Sequence, residues 1–164
     1  MDSQQNNFTY DVIIIGSGGA GCAAALEAWE ISKNILILTK TKKNISKTAN
    51  AQGGIQAAFD TDDSPSLHYE DTMRAGNYKS NPALVKILTE SACSTVKWLE
   101  SLGVSFDHER GKYKLKRSAG ISNDRVLSCG DQTGNKIIKP ILDKVKSAGI
   151  PLLENNGVQK ITKF

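Results

Sequence analysis

Tyr10-Asp11-Val12-Ile13-Ile14-Ile15 runs into Gly16-Ser17-Gly18-Gly19-Ala20-Gly21 and then, without a polar break, into Cys22-Ala23-Ala24-Ala25-Leu26-Glu27-Ala28-Trp29. The β-branched run is strand-sized, the glycines mark a tight turn, and the alanine-rich continuation favours a helix over residues 23–29. After a polar gap at Ser32, Lys33 and Asn34, Ile35-Leu36-Ile37-Leu38 shows no polar alternation. A strand buried on both faces of a parallel sheet has that pattern. Strand, helix and strand form a βαβ unit, and the expected fold class is α/β: a Rossmann-like parallel sheet with helical crossovers.

The six residues from Gly16 to Gly21 satisfy G-x-G-x-x-G between an expected buried strand and a helix, the context that gives this motif its meaning. The first glycine allows the tight turn, the second lets backbone approach a pyrophosphate, and the third lets helix and strand pack closely. The helix start adds unpaired N–H groups and positive partial charge. Dinucleotide binding follows, through Gly16, Ser17, Gly18, Gly19, Ala20 and Gly21. An NAD site usually places Asp or Glu at the end of the second strand, and here that place reads Leu38-Thr39-Lys40. The missing carboxylate argues against NAD, and on these residues alone NADP and FAD both remain open.

Composition narrows the class further. The chain has 164 residues, 39% apolar and 23% charged, as an ordinary globular protein does. No apolar run approaches the roughly 18 residues of a membrane span, and the start of the sequence carries no export signal. A cytoplasmic location without direct membrane insertion is expected. The net charge of +4 is modest, and its lysines alternate with acidic stretches rather than forming a stripe, so nucleic acid is not an expected partner. Cys22, Cys93 and Cys129 are odd in number and far apart, which disfavours disulfides and a zinc site.

Residues 39–59 lack periodicity and read as a long functional loop, partly disordered without a cofactor. Asn81 and Pro82 start a helix whose expected packing face is Leu84, Leu88, Ala92, Val96 and Leu99, ending at Gly103. Residues 104–107 read as a short strand, 109–112 as a turn at Gly111, and 134–148 as a helix that Pro140 should kink or delay to a start near Lys139. Strands are expected at 150–154 and 158–162.

A second motif, Ser46-Lys47-Thr48-Ala49-Asn50-Ala51-Gln52-Gly53-Gly54-Ile55, resembles the flavoprotein family of succinate dehydrogenase, fumarate reductase and L-aspartate oxidase when taken with the glycine motif. His68-Tyr69-Glu70-Asp71-Thr72, Trp98 to Val104 and Gly130-Asp131-Gln132-Thr133-Gly134 match in family order, so the resemblance spans nearly the whole chain. It implies FAD, with the pyrophosphate at Gly16–Gly21, Lys40 by the ribose beside Thr39, and Ser46, Lys47, Thr48, Asn50, Ala51, Gln52, Gly53 and Gly54 around the flavin. Val158 is implied to meet the adenine through its backbone. Respiratory members carry a histidine, covalently joined to FAD, where this sequence has Lys47, so non-covalent FAD is implied.

Arg117-Ser118-Ala119-Gly120 departs from the family, whose fumarate reductases tend to read Arg-Phe-Gly-Gly and whose L-aspartate oxidases read Arg-Glu-Gly-Gly. Ile121-Ser122 and Arg125 are spaced as in the oxidases, but without the glutamate an ammonium substrate loses its partner. The resemblance therefore implies a C4-dicarboxylate oxidoreductase of the fumarate reductase or succinate dehydrogenase type, with L-aspartate oxidase as the near alternative. An iron-sulfur or other electron-transfer subunit is the implied partner.

The family's proton-delivering arginine and carboxylate-gripping histidines lie beyond the matched region. Residues 1–164 are thus expected to be the N-terminal part of an FAD-binding domain, incomplete at its C-terminal end, without the capping substrate domain and with no catalytic residue of its own. A truncated, non-catalytic dinucleotide-binding module is the alternative from another class. Outside the cofactor motifs, His68 and His108 are expected to be structural or solvent-facing, Asp131 to cap a helix with Thr133, the cysteines to act as small hydrophobes, and Trp29 and Trp98 to anchor the core.

Overall fold

The computed structural model describes residues 8–163. Two compact units divide the chain, one comprising Met1–Ala49 with Ile141–Phe164 and the other Asn50–Pro140.

In the first unit, β1 (Val12–Ile15), α1 (Gly19–Ile31) and β2 (Ile35–Leu38) form the expected βαβ crossover. β1 pairs in parallel with β2, Val12 opposite Ile35 and Ile15 opposite Leu38, and β2 pairs in parallel with β7 (Leu152–Leu153). The order β1-β2-β7 puts β2 in the middle, which is why Ile35, Leu36 and Ile37 are buried. β1 departs from expectation. It occupies a sheet edge among the described residues, and Ile13 and Ile15 are about half exposed because no strand lies beyond it. α1 begins at Gly19, earlier than the alanine run suggested, and buries Cys22 and Ala25. The strand expected at 150–154 shortens to Leu152–Leu153, and the one expected at 158–162 is absent, since those residues find no strand to pair with and lie exposed.

In the second unit, β3 (Ile55–Gln56) forms a break in the expected loop and pairs antiparallel with β6 (Val126–Leu127). α2 (Pro65–Ala75) packs against α3 (Pro82–Ser101), and each begins with a side-chain cap followed by proline, Ser64 accepting from Leu67 N–H and Asn81 from Ala83 and Leu84 N–H. The buried face of α3 is Val85, Thr89, Ala92, Val96 and Leu99. Leu84 and Leu88 are exposed instead, because Val85 and Thr89 continue the alternating four- and three-residue spacing that Ala92, Val96 and Leu99 set. Residues 104–107 are not a strand. A hairpin of β4 (His108–Glu109) and β5 (Lys112–Tyr113) follows them, with Arg110 and Gly111 at positive φ in its turn.

α4 (Thr133–Ser147) starts in the second unit and ends in the first, and the boundary between the units falls immediately after Pro140. A start near Lys139 is not observed. Pro140 sits inside the helix, where it cannot donate to the carbonyl of Lys136. Trp29 and Trp98 are half-buried rather than core anchors, and Lys33 covers the Trp29 ring at 5.2 Å. Among the described residues no helix is long and apolar enough to cross a membrane, all three cysteines are free, and no cluster of metal-ligating side chains occurs.

Candidate functional site

The glycine turn is built by contact. Gly16, at φ +112°, leaves β1 and donates its N–H to the Leu38 carbonyl at 2.8 Å. A Cβ on Gly21 would stand 2.0 Å from the Gly16 carbonyl oxygen, so only glycine lets α1 return this closely. Gly18 precedes the helix as its N-cap and offers no side-chain acceptor, and the first turn holds no acidic residue. Thr48 reaches in from 29 positions away, and its Oγ accepts from Gly19 N–H at 3.0 Å. Ser17 is buried, its carbonyl accepting from the Cys22 thiol, whose pKa burial pushes up to about 11. That cysteine is a packing group.

A cleft of about 490 Å³ opens at this turn. Such a volume lies within the range of small-molecule and cofactor sites. Gly16, Ser17, Gly18, Gly19 and Ala20 line it together with Thr39, Lys40, Ser46, Lys47, Thr48 and Val158. Gly21 packs the helix behind it. Six further residues lie in the wall without having been foreseen: Ile15, Leu38, Thr41, Ile45, Asn156 and Gly157. The signal for the last two was the Asn155-Asn156-Gly157 turn after β7, since ligands of parallel sheets gather at the carboxyl ends of strands. Asn155 has φ +60°, and Asn156 N–H bonds to the Thr39 carbonyl at 2.9 Å. Lys43 pairs with Glu154, whereas among the described residues Lys40 and Lys47 have no carboxylate partner and remain exposed. The cleft therefore presents helix N–H groups and two uncompensated cations, which suits an anionic ligand.

Asn50, Ala51, Gln52, Gly53 and Gly54 belong to the second unit, where they are exposed. Ala51 accepts from Gly134 N–H at 2.8 Å and Gly53 accepts from the Thr133 hydroxyl at 3.4 Å. The expected Asp131 cap is not formed among the described residues. Thr133 Oγ instead accepts Cys129 N–H at 3.0 Å, the shorter reach within that turn.

The second unit also contains a buried ionic cluster that motif reading did not find. Arg125, fully buried, grips Asp63 through Nε and Nη2 at 2.8 and 2.7 Å and Asp71 through Nη1 at 2.7 Å. Ser122 donates both its N–H and its hydroxyl to Asp71 at 2.7 Å. Burial raises the Asp71 pKa, but the bonds from Ser122 and Arg125 outweigh it and hold the carboxyl at about 2. His68, buried beside them on α2, keeps an unpartnered Nδ1, and desolvation followed by the Arg125 charge lowers its pKa. Ser122 and Arg125 are thus committed to internal bonds. His108 is exposed, with Nδ1 2.9 Å from the Phe106 carbonyl oxygen. A separate cleft of about 450 Å³ between the starts of α2 and α3 contains no foreseen site residue.

The parallel βαβ fold and the glycine-lined cleft define a dinucleotide-binding protein. The chain belongs to the FAD binding domain family, whose model matches residues 11–163, and so to a family of FAD-dependent oxidoreductases. One chain of the fumarate reductase (CoM/CoB) of Methanothermobacter marburgensis is 41% identical over 140 residues, 82% of this chain and 26% of that protein. An L-aspartate oxidase of Nostoc sp. is 38% identical over 136 residues, 83% of this chain and 23% of that protein. A variant of E. coli quinol fumarate reductase FrdA shares the fold with a TM-score of 0.84 at 25% identity, covering 90% of this chain and 26% of that one. The chain spans about a quarter of the length of these relatives.

Proposed function

We propose that this chain binds FAD non-covalently and serves as the nucleotide-holding part of an oxidoreductase acting on a C4-dicarboxylate, of the fumarate reductase or succinate dehydrogenase type. The observation that carries the reading is the cleft in which a helix start with glycine at its N-cap meets Lys40, Lys47 and Thr48. The residues fit the cofactor. The glycine turn exists only because Gly21 lacks a Cβ, and the wall supplies backbone donors and cations for a pyrophosphate.

In this reading Gly18 and Ala20 donate N–H groups to the pyrophosphate while Gly19, whose N–H is given to Thr48, lets the backbone approach it, Thr39 and Lys40 hold the ribose end, and the Val158 backbone meets the adenine. Ser46, Lys47 and Thr48 approach the flavin side, and Asn50 to Gly54 supply backbone donors to its ring. FAD, when bound, supplies hydride transfer. The chain's own residues bind and orient it, and the groups that grip substrate and deliver the proton come from sequence outside these 164 residues. Both units then belong to one FAD-binding domain, a reading supported by a family match that runs through both. An electron-transfer subunit is the proposed partner, and the proposed location is the cytoplasm or the inner membrane face through that partner.

Non-covalent binding rests on Lys47, whose amine stands where the covalently linked relatives have an imidazole. The test is an absorption spectrum from 300 to 550 nm with FAD added, then acid precipitation. Flavin bands that bind and are fully released into the supernatant are expected. Flavin remaining in the pellet refutes the non-covalent reading, and no binding at all refutes the cofactor reading. L-Aspartate oxidation is the second reading, favoured by the Nostoc relative but not by Ser118. Longer protein carrying this chain should reduce fumarate with a reduced dye rather than oxidise L-aspartate with oxygen.

A further inference from the structure

The backbone of residues 50–54 is unevenly satisfied. Its carbonyls at Ala51 and Gly53 are taken by Gly134 N–H and the Thr133 hydroxyl, while its N–H groups have no partner among the described residues. The strip is fixed further at Gly54, where a Cβ would stand 2.3 Å from the Leu127 carbonyl oxygen of β6. β6 is itself tied down, because Arg125, the residue before it, is locked to Asp63 and Asp71 and its carbonyl accepts from Ala57 N–H at 3.0 Å. Thr133 is the polar hub. It is buried, accepts from Cys129 N–H and donates to Gly53, so both hydroxyl functions are spent on holding this turn.

An exposed segment that has its Ala51 and Gly53 carbonyls engaged internally and no partner for its N–H groups among the described residues can donate to a ligand edge rich in acceptors. We propose that Thr133 is a positioning residue that holds residues 51–54 with their amides outward, as donors to the carbonyl and imine acceptors of the flavin ring. The proposal rests on the FAD reading above and adds a residue that no cofactor motif contains. Thr133 touches no cofactor; it acts through the carbonyls it and its neighbour Gly134 occupy.

The test uses the full chain with FAD and three variants, Thr133→Val, Thr133→Ala and Thr133→Ser. Val and Ala remove the hydroxyl with and without the bulk, so one of them reports even where the other fails to fold; Ser keeps it. Loss of the hydroxyl is expected to weaken FAD binding about tenfold and the Ser variant to stay within about threefold of wild type. At saturating FAD the Val and Ala variants should also show displaced flavin absorption bands, which a loss of fold stability alone would not produce. In the wild type, FAD should slow amide exchange at residues 50–54 by about tenfold or more. Wild-type affinity and band positions in folded Val or Ala variants, or amide exchange at 50–54 unaltered by bound FAD, overturn the proposal. Failure of the wild type to bind FAD is a different result and brings down the cofactor reading itself.

Discussion

Gly16 and Gly21 meet across five residues of chain, whereas Asp71 and Arg125 meet across 54, and the two units of this protein differ accordingly. The first is organised by local steric fit and by burial of Ile35, Leu36 and Ile37 in a parallel strand. The second is organised by charge, with one guanidinium satisfying two carboxylates inside it. Local fit leaves a signature in sequence, and a long-range ion pair leaves three ordinary charged residues. The same difference sets the weakness of each unit: the glycine turn is sensitive to one added methyl group, the cluster to one lost charge.

The strongest blow to the contrast is Arg125→Met. It leaves Asp63 buried without a cation and Asp71 paired only with the exposed Arg74, and should cost about 3–5 kcal/mol, read as a lower urea midpoint. A loss below about 1 kcal/mol would mean that the cluster is not what holds the second unit. Gly21→Ala comes next, since its Cβ meets backbone rather than a pliable side chain; a cost of about 3 kcal/mol is expected together with loss of FAD binding.

Acid should find the charged unit first. Asp71, held at about 2 against an ordinary 3.8, contributes stability that is present above the unfolded value and lost as pH falls from about 4 toward 2. The contribution is about 2 kcal/mol. His68, with its pKa lowered, acts in the same direction at higher pH: the unfolded chain takes up a proton below 6.5 before the folded one does, so stability declines there. A flat stability profile from pH 7 to 5 that is unchanged by His68→Gln would remove His68 from this account. The smallest effect belongs to Leu84→Ser on α3, expected within about 0.5 kcal/mol because the side chain is 65% exposed. Val96→Ala, fully buried, should cost more than that in the same denaturation assay.

The same difference decided which elements could be read from sequence. β1, α1 and β2 were legible because glycine placement and uninterrupted Ile and Leu runs have few structural meanings. The residues from Gly16 to Ala20 and from Ser46 to Thr48 line one cleft. On α3, Leu84 and Leu88 satisfied a helical period as well as Val85 did, and only packing against α2 chose between faces rotated by one residue. Residues 158–162 had strand-like content, but a strand exists only where a neighbour pairs with it. His68, Ser122 and Arg125 were read from motif order, while the cluster that joins Arg125 to Asp63 and Asp71 became visible only once the chain had folded.

Asn156 and Gly157, which line the cleft, carry a chemical consequence with time. An exposed asparagine followed by glycine is poorly protected from attack by the next backbone nitrogen on its side-chain amide, a reaction that expels ammonia and leaves aspartate or isoaspartate. The cleft that Lys40 and Lys47 make cationic would then acquire a carboxylate in its wall. Deamidation on storage would then alter the charge of this cleft and leave the sheet and helices behind it unchanged.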